Sequence, residues 1–206
     1  QGVLAHEMGN RGAAALISFN ILQKGVVGIG GSTGAVLGRS LRALRLLVNN
    51  SLAGVRLESG LALKNRVSVA ELLSEVELEA SMSANPSSLK LIVLPVEGDI
   101  DVQADPQILS AALSNLLQNA FKFGRPSSQV SLRTAATADH VLFQVEDECG
   151  GLPPGKAEEL FKPFTQGAAD RSGLGLGLAI ARKGIEAMDG RLCVRDIPGQ
   201  GCVFSI

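Results

Sequence analysis

The chain has 206 residues, 46% of them hydrophobic, and its 19 Lys and Arg against 20 Asp and Glu give a net charge of −1. Such a composition supports a buried core and excludes the strong basic field expected of a nucleic-acid-binding protein. Three scattered cysteines without a Cys-x-x-Cys pair predict reduced thiols, as in cytoplasmic proteins. No apolar run reaches the roughly 18 residues that cross a bilayer. We therefore expect a cytoplasmic fragment of a longer protein, with any sensing segment or membrane anchor outside it.

Charge divides the chain into two parts. Residues 1–66 carry eight Lys and Arg against two Asp and Glu, a local charge of +6, so the remainder carries −7. This division suggests two units with different electrostatic roles, although two solvated surfaces of opposite sign would produce it equally well.

The first 62 residues have the pattern of a helical hairpin. Apolar residues recur at three- and four-residue steps to about residue 25, a glycine-rich turn follows at 25–34, and a second helix is predicted to about residue 60. The apolar seam of the second helix has the spacing of a helical bundle and comprises Leu37, Leu41, Leu44, Val48, Leu52 and Val55. One hairpin cannot cover this stripe, so we predict that two copies form a four-helix bundle. The alternative is that the stripe packs against the rest of the same chain.

From residue 67 onwards the pattern is that of an α+β domain. Helices are predicted at 69–84, 106–123 and 175–188, and strands at 89–95, 101–104, 129–136, 140–146, 191–196 and 202–206. Because adjacent strands form hairpins between the helices, we expect an α/β two-layer sandwich over residues 67–206 rather than a doubly wound parallel sheet.

The helix at 106–123 carries a polar face beside its apolar stripe. Asn115, Asn119 and Lys122 recur at steps of four and three residues and so share one side of the helix. Amide oxygens suit the hard cation Mg²⁺, and a lysine supplies a point charge for phosphate, so Asn115 and Asn119 are candidate metal ligands. Taken alone, the same pattern is typical of a solvated polar face.

Two glycine-rich segments follow. Asp147 ends a strand ahead of Gly150 and Gly151, where a carboxylate could accept a hydrogen bond from an adenine amine and the glycines let the backbone approach a flat ligand. Further on, the run Gly173, Gly175, Leu176 and Gly177 opens a helix whose free amides and dipole favour phosphate. The run lacks the βαβ context of a dinucleotide-binding fingerprint.

These motifs, in this order, resemble the sensor histidine kinases of two-component systems. The matching segments are the asparagine box Asn115–Phe123, the first glycine box Asp147–Gly151, the phenylalanine box Phe161–Phe164, the second glycine box Gly173–Gly177 and the final glycine strand Gly199–Phe204. The resemblance implies the Bergerat (GHKL) ATP-binding fold, with ATP and Mg²⁺ as cofactors and a lid between Phe164 and Gly173. Cys149 stands where the first glycine of its box is expected, and Cys202 where a threonine is expected.

The N-terminal hairpin carries a segment that resembles the histidine box of the dimerisation and phosphoacceptor domain. It contains His6, Glu7 and Asn10, followed by Arg11 where the family has a proline. The resemblance implies that His6 is the phosphorylated nucleophile, that Glu7 assists its proton transfer, and that Asn10 serves a phosphatase activity. His140, the other histidine, has no motif around it and is interpreted as structural or exposed.

The resemblance therefore implies a homodimer that phosphorylates His6 with ATP and then passes the phosphate to an aspartate of a response-regulator receiver domain. A hinge at residues 60–66 would let the ATP domain reach His6. The basic hairpin would suit an acidic regulator, and no nucleic-acid or membrane partner is expected within this fragment. Two alternatives stay open at this point: a non-catalytic dimeric scaffold, and a Bergerat-fold ATPase or serine kinase whose hairpin serves only for assembly.

Overall fold

The computed structural model describes residues 2–23, 31–58, 63–81, 89–96, 98–153, 155–165 and 175–206, without the side chains of residues 2–11, 23, 39, 42 and 58. The chain forms two compact units, Gln1–Leu52 and Ala53–Ile206. Across the described ranges, no helix has both the length and the apolar character needed to cross a membrane. The predicted domain limits, 1–62 and 67–206, adjoin residues 59–62, which lie outside the described ranges, and they stay a prediction.

The first unit contains helix α1, Gly2–Gln23, and most of helix α2, Ser32–Glu58. Its buried side chains, among those described, are small or polar: Ala15, Ser18, Ser40 and Asn50. Its large apolar side chains include several that are exposed, namely Leu16, Ile17, Phe19, Leu41, Val48 and Leu52. Three of these exposed residues, Leu41, Val48 and Leu52, belong to the predicted seam of α2. These exposed side chains form an apolar stripe on the surface of the first unit, and the interior of that unit does not bury it.

The second unit is built on a five-stranded sheet. Its strands are β2 (Lys90–Val93), β4 (Gln129–Ala136), β5 (Val141–Asp147), β6 (Cys193–Ile197) and β7 (Gly201–Ser205). They lie in the order β2-β4-β5-β7-β6; β2 and β4 are parallel and the other pairs are antiparallel. Two short strands, β1 (Asn65–Ser68) and β3 (Asp101–Ala104), form a separate antiparallel pair. The predicted α+β class is confirmed, since the described strands pair mainly antiparallel.

Three helices cover the sheet: α3 (Val69–Ser81), α4 (Pro106–Phe123) and α5 (Gly177–Glu186). Alternate side chains of β5, including Phe143 and Val145, are buried while Leu142 on the opposite face is 39% exposed, which is the pattern of a sheet covered on one side. Helix α4 is central, since it contacts α3, α5, β4 and β5. Its leucines 109, 113, 116 and 117 are at most 2% exposed.

Helix α4 begins where its capping signal lies. Oδ1 of Asp105 accepts hydrogen bonds from the backbone amides of Gln107 (3.0 Å) and Ile108 (3.2 Å), and Pro106 occupies the first turn. Oδ2 of the same carboxylate, whose side chain is 1% exposed, accepts from Nη1 of Arg56 at 3.0 Å. The end of α2 is thus joined to the start of α4 by an ion pair with a buried carboxylate, within the second unit.

The predicted bounds of strands β2, β5, β6 and β7 differ from the structure by one or two residues at an end. Two other differences concern α5 and the predicted hinge. The helix predicted at 175–188 spans Gly177–Glu186, because Gly175 has a φ of +65° and Asp189 one of 63°, both outside the helical region. The hinge predicted at residues 60–66 includes Asn65 and Arg66, which instead pair in β1 with Ala104 and Gln103. The four residues of β1 do not alternate between polar and apolar side chains, so no period predicted this strand.

Candidate nucleotide-binding site

Asp147 lies at the end of β5 and is 3% exposed. Its Oδ1 accepts hydrogen bonds from the backbone amides of Cys149 (2.9 Å) and Cys202 (3.2 Å), which fixes the orientation of the carboxylate. Strand β7 approaches so closely here that a Cβ on Gly201 would lie 1.8 Å from the carbonyl oxygen of Asp147. Gly201 is therefore required for the placement of the carboxylate, a role that sequence reasoning did not identify.

The turn after Asp147 uses glycine at two consecutive positive-φ positions, Gly150 (99°) and Gly151 (94°). The amide of Gly150 donates to the carbonyl of Gln200 (3.0 Å), and the amide of Leu152 donates to Oδ1 of Asp196 (2.7 Å). A Cβ on Gly151 would lie 2.9 Å from that same Asp196 oxygen. The predicted site residue Gly151 thus has a conformation and a close contact that both favour glycine.

The polar face of α4 passes from the core to the surface. Asn115 is 5% exposed, Asn119 is half-buried and Lys122 is exposed. Nζ of Lys122 also lies 5.2 Å from the ring centroid of Phe123. The spacing predicted one shared face of the helix. The structure shows in addition that this face runs from a buried amide, Asn115, to an exposed cation, Lys122. Such a gradient suits a ligand whose phosphates extend from the protein interior towards solvent.

The N-terminus of α5 lies against Asn115. A Cβ on Gly177 would be 2.6 Å from Oδ1 of Asn115, so glycine allows the start of the helix to approach this amide closely. The N-cap residue Leu176 has no side-chain hydrogen bond to the first turn of α5, and the N-terminus of a helix favours a phosphate as acceptor. The carbonyl of Gly175 accepts from the amide of Phe164 at 2.9 Å, which fixes the segment ahead of the helix. Gly173, the first member of the predicted run, lies outside the described residues, as does the predicted lid from residue 166 onwards.

These features fit a nucleotide with Mg²⁺. The amide oxygens of Asn115 and Asn119 are hard ligands of the kind that Mg²⁺ prefers, and the N-terminus of α5, which favours phosphate, lies next to Asn115 at Gly177. Asp147 has its carboxylate already oriented by two backbone amides. The structure thus brings together Asn115 with Gly177, and Asp147 with the glycine turn.

Cys149 and Cys202 flank Asp147, and their sulfur atoms lie 3.5 Å apart. Burial raises the pKa of both thiols above the ordinary range of cysteine and is the largest cause of this change. Hydrogen bonding to Asp147 also raises the pKa of Cys149. The sequence alone did not predict that the two cysteines meet, because the pairing of β5 with β7 brings them together. In that register Asp147 lies opposite Cys202.

His6, Glu7 and Asn10 belong to helix α1. Their side chains lie outside the described part of the chain, and their predicted roles stay predictions. His140 lies beside the turn between β4 and β5 and is exposed, consistent with its interpretation as a structural or exposed residue.

Comparisons with known proteins agree with these features. A protein-family model for the "Histidine kinase-, DNA gyrase B-, and HSP90-like ATPase" matches residues 104–206, which contain every predicted nucleotide-binding residue. The chain is similar to virulence sensor protein BvgS of Bordetella bronchiseptica, with 40% identity over 119 residues, 54% of this chain and 10% of BvgS. It is also similar to sensor histidine kinase GlrK of Escherichia coli, with 31% identity over 183 residues, 84% of this chain and 37% of GlrK.

A solved structure of full-length ShkA in complex with AMPPNP has a TM-score of 0.66 and 26% identity, and the match covers 99% of this chain and 44% of ShkA. The chain therefore spans less than half the length of each of these three proteins.

Proposed function

The chain belongs to the family of histidine kinase-, DNA gyrase B- and HSP90-like ATPases, and on that premise we propose that it is the transmitter part of a sensor histidine kinase. It binds ATP in the second unit and transfers the γ-phosphoryl group to His6. The observation that carries the proposal is the contact of the α5 N-terminus with Asn115, in the same unit as the oriented carboxylate of Asp147. The similarity to sensor histidine kinase GlrK over 84% of this chain favours a histidine kinase over the scaffold and over another type of ATPase.

Each site residue has a role in this proposal. Asp147 accepts a hydrogen bond from the adenine amine, and the turn at Gly151 lets the backbone approach the base. The amides at Gly175, Leu176 and Gly177, with Gly173 ahead of them, hold phosphate oxygens. Asn115 and Asn119 would hold Mg²⁺, which supplies neutralisation of negative charge on the triphosphate. Lys122 adds a positive charge at the solvent side.

The transfer itself requires a neutral imidazole. A ring nitrogen of His6 forms a bond to the γ-phosphorus as the bond from that phosphorus to the bridging oxygen breaks, and ADP leaves. The other ring nitrogen gives up its proton, which Glu7 accepts. Catalysis in this scheme comes mostly from positioning and charge, since the protein forms no other covalent bond to the phosphoryl group.

The chain acts as a homodimer in this proposal. The uncovered apolar stripe of α2 continues through Val55, which is 59% exposed, and α1 adds Leu16 and Phe19 at 64% and 52%. A second copy that pairs its hairpin with this one buries both stripes in a four-helix bundle. The predicted alternative, burial against the rest of the same chain, stays open, and the oligomeric state in solution distinguishes the two.

The proposed partner of the phosphorylated dimer is a response-regulator receiver domain, whose aspartate takes the phosphate from His6. Residues 1–66 carry a charge of +6, which suits an acidic partner. A complex whose affinity does not change with salt would contradict the electrostatic part of this proposal. If Asn10 positions a water for regulator dephosphorylation, Asn10→Ala lowers that rate; an unchanged rate would remove the phosphatase role.

The decisive experiment is incubation of the chain with γ-labelled ATP and Mg²⁺, comparing wild type, His6→Gln and His140→Gln. We expect an acid-labile, base-stable label on wild type and on His140→Gln, and none on His6→Gln. His140→Gln is the matched control because it removes the other histidine, which is exposed and belongs to none of the motifs. ATP binding without label would support the scaffold, and acid-stable label or free phosphate would support a different ATPase or kinase.

A further inference from the structure

The group of Asp147, Cys149 and Cys202 offers three ligand atoms, one from each side chain, that all lie within 4.8 Å of one another. Cys202 is 1% exposed and Cys149 is half-buried, so the group lies at the inner wall of the predicted adenine end of the site. Neither cysteine has a role in the proposed phosphoryl transfer. We propose that these three side chains bind a thiophilic divalent cation, Zn²⁺.

The distances favour a metal ion over a bond between the sulfurs. Zinc–thiolate bonds of about 2.3 Å in a tetrahedral site place two sulfurs roughly 3.8 Å apart, and the observed separation is 3.5 Å. A disulfide requires a sulfur–sulfur distance of about 2.05 Å, so the two strands or the two side chains would have to move closer to each other. The three ligand atoms lie within 4.8 Å of one another, so they must close by about an ångström to share one ion.

The ligand chemistry agrees with zinc. Thiolate sulfur and carboxylate oxygen are both zinc ligands, and three protein ligands leave a fourth position for water. The backbone amides of Cys149 and Cys202 donate to Oδ1 of Asp147, so the carboxylate is held by hydrogen bonds of the kind that orient metal ligands. Binding converts two thiols to thiolates and releases two protons to the buffer, with no electron transfer.

Oxidation of the pair is the less favoured reaction at this place. It would need an external oxidant such as a peroxide, which neither the site nor the proposed phosphoryl transfer supplies. A metal ion needs no oxidant and stabilises the thiolates directly.

Zinc and nucleotide would compete. The carboxylate of Asp147 would ligate the ion and is also the proposed acceptor for the adenine amine, and a bound cation would withdraw the negative charge on which that hydrogen bond depends. This second step rests on the proposed function, whereas zinc binding itself does not. The cation would thus be an inhibitor of nucleotide binding at the adenine end, acting through residues other than the Asn115 and Asn119 proposed for Mg²⁺.

The test uses the full chain, reduced and stripped of metal with a chelator. ZnCl₂ is titrated in competition with a chromophoric chelator, and Co²⁺ is titrated while the near-ultraviolet thiolate-to-cobalt absorption is recorded. We expect one equivalent of metal and the thiolate absorption in wild type and in Cys193→Ser, the matched control on β6. The double variant Cys149→Gly, Cys202→Thr, which restores the family pattern, should bind at least about 100-fold more weakly.

The single variant Cys149→Gly keeps the test valid if the double variant does not fold, since Cys149 is only half-buried. The proposal is overturned if reduced wild type takes up no Zn²⁺, if cobalt binding lacks the thiolate absorption, or if the Cys149 variants bind as tightly as Cys193→Ser.

The competition is measured with a fluorescent ADP analogue at free Zn²⁺ concentrations held by a metal buffer. Zinc should weaken analogue binding to wild type and to Cys193→Ser by about tenfold or more, and leave the double variant unaffected. If the chain takes up zinc but does not bind the analogue in zinc-free buffer, the proposed function is contradicted and the proposed metal site still stands. Analogue binding that zinc does not change, despite zinc uptake, would overturn the competition.

Discussion

Replacing Gly177 by alanine should weaken ATP binding while leaving the fold intact. The added Cβ would lie 2.6 Å from Oδ1 of Asn115, whereas ordinary van der Waals contact begins at 3.4 Å. The amide must therefore retreat by about 0.8 Å, which it can do by side-chain rotation because no backbone atom is involved. Asn115 would then be displaced from the position in which it is proposed to hold Mg²⁺.

The two effects of this substitution differ in size. Alanine in place of glycine in a helix stabilises by about 0.5–1 kcal/mol, and moving Asn115 off its rotamer costs about 0.5–1.5 kcal/mol, so the free energy of unfolding should change by no more than about 1 kcal/mol. Loss of one contact to a charged ligand costs about 1.5–3 kcal/mol. We therefore expect the Kd for Mg-ATP to rise roughly 10- to 150-fold.

The assay is titration calorimetry of Mg-ATP, paired with thermal unfolding of each variant. Gly54→Ala is the matched control, since it makes the same change in helix α2 at a place where a Cβ meets nothing within 4 Å. It should leave the Kd unchanged. In an Asn115→Ala background, Gly177→Ala should add little further loss, because the group that it displaces is already absent. An equal loss in both backgrounds, or a Kd indistinguishable from wild type, would refute the reasoning.

Three further predictions concern the rest of the second unit. Arg56→Met removes the cation that pairs with Asp105, a carboxylate whose side chain is 1% exposed. This change should lower the free energy of unfolding by about 3 kcal/mol; an unchanged denaturant midpoint would show that the pair is dispensable. Lys64 lowers the pKa of Asp189, so the pair stabilises the folded chain at pH values above the ordinary aspartate pKa of 3.8 and loses this effect as the pH falls through the lowered pKa. Lys64→Met should return the pKa of Asp189 towards 3.8 in an NMR titration. Gly201→Ala places a Cβ 1.8 Å from a backbone carbonyl of β5, which no side-chain rotation relieves, and should cost about 3 kcal/mol or more by denaturant unfolding. A near-native midpoint would contradict that close approach.

Local signals allowed much of the second unit to be predicted. The helix at 106–123 and the strands at 101–104 and 129–136 have the predicted bounds, because each combines a clear period with a turn or capping signal at its ends. The α+β class and the resemblance to sensor histidine kinases are confirmed by the fold, the family model and the relatives. The dimer, the domain limits and the roles of the site residues stay predictions.

Strand β1 and the ends of α5 show why other features escaped prediction. Strand β1 is held by its pairing with β3, in a register that places Asn65 opposite Ala104 and Ser68 opposite Asp101. The partner strand lies beyond α3 in the chain, and the four residues of β1 carry no alternation that would indicate a strand. The ends of α5 depend on the left-handed backbone at Gly175 and Asp189, which sequence periodicity does not reveal.

The sequence by itself determined the order of motifs, the class of fold and the polar face of α4, because each follows from residue types at short, regular spacing. Only the tertiary structure decided which of those residues meet. Strand register places Cys202 beside Cys149 and Asp147, which are 53 and 55 positions away in the chain. Helix packing places Gly177 against Asn115, and Arg56 against the cap of α4. These contacts join distant segments, and no local period encodes the distance between them.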